Sequence, residues 1–224
     1  DQFPIRELSV RTQVNTVTLR AWERRYGLLT PERTEKGHRL YSNDDVVLVE
    51  KILMLVARGV PLGKVKPLID EDLRLGAPDD GSQIWESSVA KLLVAVESFS
   101  LTKVAHLLHE SFSSYPAPLC RERLLEPVFG ELAQRNDSGA TFGFAESELI
   151  RYATVRLSAK VPKKNQGQAV TLIAGHQASL WRLSLMALEL ADSKFKVQLL
   201  HGRFTLAAAV ELTRHVTDMH SVFY

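Results

Sequence analysis

The sequence predicts a multidomain α and α/β protein: a winged helix-turn-helix, then a four-helix bundle, then a small parallel α/β unit. Three observations carry this. An Arg- and aromatic-rich head breaks its helices at short polar turns. A central block repeats apolar residues at the spacing of a helix. The last block alternates β-branched apolar runs with helical stretches, the pattern of a parallel sheet.

Composition sets the limits. The 224 residues are 45% hydrophobic and 24% charged, which suits a folded chain. One cysteine, Cys120, excludes an internal disulfide framework and a cysteine-only metal site, and suits a reducing cytoplasm. No apolar run reaches membrane-spanning length, so no membrane association is expected. No signal-peptide pattern opens the chain. The first residue is not Met, so residues are expected before Asp1. The net charge is +2, and it gathers at the front: residues 1–74 hold 13 Lys/Arg against 11 Asp/Glu. That is a modest nucleic-acid footprint.

The head is residues 1–74. Pro4–Thr12 reads as a short helix, with Pro4 tolerated in the first turn. Gln13-Val14-Asn15 is a turn, and Thr16–Tyr26 a second helix capped by Thr16 or Asn15. At 100° per residue (about 3.6 residues per turn), Thr16, Arg20, Glu23 and Arg24 share a polar face; Leu19, Trp22 and Tyr26 share an apolar one. Such a pair is a helix-turn-helix, whose Arg face would read guanine in the major groove. Gly37 then suits a tight hairpin, a wing carrying Arg33, Lys36, His38 and Arg39 towards phosphates. Asn43 or Asp44 caps a helix through Arg58, and Leu62–Leu73 forms another after Gly59-Val60-Pro61.

Residues 75–82 read as a linker. The bundle, 83–161, has four inward stripes: Ile84, Val89, Leu92, Leu93 and Val96; Leu101, Val104, Leu107 and Leu108; Leu124, Leu125, Val128, Phe129 and Leu132 within Pro118–Arg135; and Leu149, Ile150, Ala153 and Leu157 within Ala145–Val161. The α/β unit, 168–224, reads as strand Ala169–Ala174, helix Leu180–Ala191, strand Lys196–Leu200, helix Thr205–Arg214 and a third strand from Ser221. The chain ends inside that apolar strand, so we expect it to continue past Tyr224.

Val17-Thr-Leu-Arg-Ala-Trp-Glu-Arg-Arg-Tyr-Gly-Leu-Leu29, with Pro31, Arg33 and Gly37-His-Arg-Leu-Tyr41, resembles the MerR family of transcription regulators over residues 4–73. The Arg-Ala-Trp-Glu-Arg-Arg-Tyr-Gly form resembles the branch that holds the MlrA-type regulators and the CarH/LitR cobalamin photoreceptors. The resemblance implies a bacterial, nucleoid-located homodimer on double-stranded promoter DNA, acting with RNA polymerase as an activator. It implies DNA contacts from Arg20 and Trp22 on the second helix and from Arg33, His38, Arg39 and Tyr41 on the wing; the reading of the helix and the hairpin adds Thr16, Thr18, Arg24, Arg25 and Lys36 as candidate contacts. Trp22 is read as supporting the helix or touching the DNA backbone.

The order of bundle and α/β unit resembles a cobalamin-binding module, the last part being its Rossmann-like half. That module carries Asp-x-His-x-x-Gly after its first strand. Aligned through the following helix, Ser179 stands at the acidic position, Trp181 at the His and Ser184 at the Gly. The cap stretch Ala145-Glu-Ser-Glu148 holds neither Trp nor His. No cofactor is therefore expected, and the module is read as degenerate. MlrA-type relatives imply a docking role, with cyclic-di-GMP signalling proteins as partners and biofilm control as the setting. A regulator responding to cobalamin, another small molecule or light is the alternative.

Other candidates carry less. Cys120 reads as a small core residue. His106 and His109, beside Glu110, have a spacing that suits zinc, but no third ligand lies near, so no metal site is expected. Arg156, Lys160, Lys163 and Lys164 read as a solvated helix end. Neither a phosphate-binding glycine loop nor a nucleophile elbow is present, so no enzyme is expected.

Overall fold

The computed structural model describes residues 2–70, 81–159, 168–193, 195–215 and 219–223. The chain divides into two compact units: residues 1–94 with 109–130, and residues 95–108 with 131–224.

The first unit opens with a strand the sequence reading did not expect. β1 (Phe3–Pro4) leads into α1 (Ile5–Thr12), α2 (Thr16–Ala21) and a π-helical turn, Trp22–Tyr26. The expected single helix 16–26 thus widens in its last five residues, where Leu28 N–H reaches back to the Trp22 carbonyl. Asn15, not Thr16, is the cap, accepting from Thr18 N–H at 2.8 Å. Gly27 ends the helix at φ +60°, a conformation glycine adopts without strain.

The hairpin β2 (Glu32–Arg33) and β3 (Arg39–Tyr41) turns at Gly37, φ +79°. β1 adds to it, pairing Phe3 with Tyr41, in the antiparallel order β1-β3-β2. A two-residue strand carries too little periodicity to be read from sequence. Helix α3 (Asn43–Ala57) is capped by Ser42, not by Asn43 or Asp44. Ser42 and Asp45 form a reciprocal capping box, which outcompetes either neighbour because it satisfies two orphan N–H groups at once. Helix α4 spans Leu62–Asp70; the rest of its expected span lies outside the described residues.

Of the expected linker, 75–80 also lies outside them, while Gly81 and Ser82 already belong to α5 (Gly81–Glu97). Helix α6 follows (Leu101–Ser114), then α7 (Ala117–Cys120), a second π-helical turn (Arg121–Leu125), α8 (Glu126–Leu132) and α9 (Ala140–Ala159). The expected stripes are mostly buried, but Leu101 is 56% exposed, because the chain has only just entered α6 there. Helix α9 starts five residues earlier than expected. The Asp137 carboxylate accepts from Gly139 N–H, Thr141 N–H and the Thr141 hydroxyl, converting an apparent breaker into an anchor. The Thr141 hydroxyl holds the Asp137 pKa below its ordinary value.

In the second unit, β4 (Ala169–Gly175), α10 (Leu180–Asp192), β5 (Lys196–Phe204), α11 (Leu206–His215) and β6 (Met219–Phe223) alternate as expected. The sheet order is β5-β4-β6 and both pairings are parallel. β4 is central, and from Val170 onward it is buried, which is why it reads as an unbroken apolar run. Val170, Leu172 and Ala174 meet Leu183 and Ala187 of α10 in one cluster. β5 runs four residues beyond the expected end.

Candidate nucleic-acid interface

The second helix presents its cations as its periodicity dictates. Arg20, Arg24 and Arg25 are exposed, Thr16 is half-buried, and Leu19 and Trp22 are fully buried. Two of the expected contact residues on this helix are buried. Thr18 is buried, its backbone N–H held by Asn15 and its hydroxyl without a hydrogen-bond partner among the described residues. Trp22 is at 0% exposure, and its indole N–H donates to the Ser114 carbonyl at 2.8 Å. It packs behind the helix, the first of the two roles expected of it. Its burial was legible in the apolar face it shares with Leu19; its partner, 92 residues away, was not.

Trp85 makes a matching bond. Its indole N–H donates to the Val56 carbonyl at 3.1 Å, and its ring lies 4.9 Å from that of Tyr115. Two buried indoles therefore tie the helix-turn-helix to helices that follow it, within one compact unit. Trp85 fell beside an expected stripe, and the sequence reading gave it no role.

On the wing, Lys36 and His38 are exposed at the turn. Thr34 N–H donates to the His38 carbonyl, and His38 N–H donates to the Thr34 hydroxyl, which closes the hairpin. Arg33 is half exposed and donates to the Gly37 carbonyl at 3.3 Å. Arg39 is more withdrawn and donates to the Glu23 carboxylate at 2.7 Å. Arg33 also lies 3.7 Å from that carboxylate. Glu23 was placed on the polar helix face by periodicity, but its engagement with the wing needed the fold. The hydrogen bond it donates to Glu23 raises the Arg39 pKa above its usual value.

Tyr41, on the wing, is buried as well. It is 1% exposed, and its hydroxyl has no hydrogen-bond partner among the described residues. Burial, then the nearby Glu23 charge, pushes its pKa up to about 12.

The residues at the degenerate motif sit on or beside α10. Ser179 is its N-cap but makes no side-chain cap. Glu146 of α9 instead accepts from Trp181 N–H at 3.2 Å. The Trp181 ring is buried, and the buried Ser184 hydroxyl donates to the Leu180 carbonyl at 2.8 Å. The two positions expected to align with a cobalt ligand and a glycine are thus filled by a buried indole and a packed serine. Arg156 is no solvated helix end; it lies mostly buried, near Tyr152 and 3.5 Å from Asp192. Lys160, Lys163 and Lys164 lie outside the described residues. Cys120 is buried, near the Tyr115 carbonyl. His106 and His109 are exposed on α6, and no group of three metal-ligating side chains occurs among the described residues. Among them, no helix is long and apolar enough to cross a membrane.

A cationic helix behind a turn, joined to a cationic hairpin, defines a winged helix-turn-helix, the head of a DNA-binding transcription regulator. The family model described as MerR HTH family regulatory protein matches residues 3–72. The chain belongs to the MerR family of transcriptional regulators, in its MlrA-like branch. It is 30% identical over 219 residues to the HTH-type transcriptional regulator MlrA of Salmonella typhimurium, covering 91% of this chain and 86% of that protein. MlrA of Escherichia coli is 30% identical over 82% of this chain and 73% of its own length. The HTH-type transcriptional repressor CarH of Myxococcus xanthus is 30% identical over 61% of this chain and 48% of its own.

Proposed function

We propose that this regulator reads promoter DNA as a homodimer, with Arg20, Arg24 and Arg25 directed at the major groove and Arg33, Lys36 and His38 at phosphates. The observation that supports it is the exposure of those cations on two elements joined by Glu23. Thr16 contributes at the helix start. Thr18, Trp22 and Tyr41 act from inside, by holding the helix and wing in shape. Activation through RNA polymerase is the working direction of regulation; the MlrA relatives are named regulators and CarH a repressor.

Residues 83–161 are read as a helical bundle and 168–224 as a Rossmann-like unit, together a cobalamin-type module that has lost its ligand chemistry. Trp181 and Glu146 support that reading, since they fill the start of α10 with protein groups. A docking role, with signalling proteins of cyclic-di-GMP metabolism as partners, follows for the module. The test of the head is selection of a duplex from a random library, followed by footprinting at graded salt. A two-fold symmetric footprint supports the proposal; protection without sequence preference sinks it. The test of the module is incubation with adenosyl- and methylcobalamin in the dark, desalting, and a visible spectrum. A colourless protein is expected; retained corrin absorbance overturns the degenerate reading.

A further inference from the structure

Arg20, Arg24, Arg33 and Arg39 are four of the expected DNA-contact cations, and the Glu23 carboxylate stands among them. Glu23 lies on the recognition helix, one turn beyond Arg20 and beside Arg24. A negative charge on a surface meant for phosphates is unfavourable by itself. It is also largely buried, its side chain 14% exposed. Its position is explained by what it holds. Arg39, on β3, donates to it at 2.7 Å, and Arg33, on β2, approaches to 3.7 Å. Both wing strands are thus tied to the helix by one carboxylate. Arg39, with 27% side-chain exposure, is committed to this contact; Arg33, at 54%, is shared between Glu23, the Gly37 carbonyl and solvent.

A partly buried charged hydrogen bond is directional, whereas a phosphate contact from an exposed arginine tolerates many poses. Two-element recognition needs a fixed angle between the base-reading helix and the phosphate-holding hairpin. A wing free to swing still gathers phosphates, but it no longer sets the helix in register with the bases.

Resting on the reading of this head as a DNA interface, we infer that Glu23 is a positioning residue that confers sequence specificity, with Arg39 as its strut rather than a phosphate contact. Two consequences separate this from a general structural role. Removing the charge, in Glu23→Gln, weakens binding to the preferred duplex while leaving random-sequence binding equal or tighter, because a carboxylate near the phosphates is gone. A variant that merely loosened the fold would weaken both. Reversing the pair, in Glu23→Arg with Arg39→Glu, preserves net charge and the strut.

The experiment measures fluorescence anisotropy with two duplexes, one selected by the wild-type protein from a random library and one of random sequence. The thermal midpoint of each variant is recorded beside it. Glu23→Gln is expected to lower the selected-to-random affinity ratio about tenfold, the scale of one disturbed base contact. Arg39→Glu alone is expected to lose the preference, and the reversed pair to regain part of it. An unchanged ratio in Glu23→Gln overturns the inference. So does an equal loss on both duplexes, or a reversed pair no better than Arg39→Glu. A wild-type protein without any selected duplex is a different failure, visible before any variant is made; it removes the DNA-reading proposal and this inference with it.

Discussion

The head and the α/β unit treat their family motifs in opposite ways. In the head, Arg20, Arg24, Arg33 and Gly37 keep the types the motif calls for, and the fold leaves the cations exposed. In the α/β unit, Ser179, Trp181 and Ser184 stand where ligand-binding types are expected, and the fold buries Trp181 and Ser184. One region presents its motif residues on a surface and the other packs them in a core. A surface motif survives only if its polar atoms stay available. A scaffold survives any substitution that fills the same volume with satisfied polar groups.

The sharpest division comes from two tryptophans. Trp22→Ala is expected to cost about 3–5 kcal/mol of stability, from a large cavity and an unpaired Ser114 carbonyl. Urea unfolding measures it, and specific DNA binding should fall with the helix it supports. Trp181→Ala should cost a similar amount in its own unit and leave the selected-duplex affinity of the folded protein unchanged. A loss of DNA affinity there at full folding would join the two regions and break the contrast.

Arg20→Ala comes next. It is expected to lose about 1–3 kcal/mol on the selected duplex per half-site, with little change on random DNA. Equal losses on both would show that Arg20 holds phosphate rather than a base.

Two tyrosines, one buried and one partly buried, give a pH signature. The ordinary tyrosine value is 10.0, and Tyr41 and Tyr115 are each pushed up to about 12 in the folded protein. Raised values mean that the unfolded chain loses these protons first. The stability they contribute is therefore complete below about pH 10 and falls as pH rises towards 12. Tyr41→Phe should flatten that fall, read as the urea midpoint across the alkaline range. At neutral pH it should be neutral or slightly stabilising, because it removes a buried hydroxyl without a partner.

Lys36→Ala is expected to have the smallest effect. Selected and random duplexes should weaken alike, and the slope of log affinity against log salt should drop by about 0.9. A change in the selected-to-random ratio would mean that the wing tip reads sequence.

Much of this was legible from local pattern. The periodicity of Leu19, Trp22 and Tyr26 against Arg20, Glu23 and Arg24 fixed which side of the second helix is wet. Gly37 fixed the wing turn, and the apolar run from Ala169 fixed the central strand. These are decided within one or two turns of chain, where helical and strand geometry leave little freedom. The misses were of another kind. The Ser42 cap, the early start of α9 at Asp137 and the strand at Phe3 each depend on which of several competent neighbours captures a bond. The Trp22–Ser114, Trp85–Val56 and Glu23–Arg39 contacts join residues 92, 29 and 16 positions apart. The sequence by itself determined most helices and the parallel strands, their wet and dry faces and the family. Only the tertiary structure decided which polar groups are consumed inside the protein, because a hydrogen bond or ion pair belongs to whichever partner the fold brings within about 3 Å.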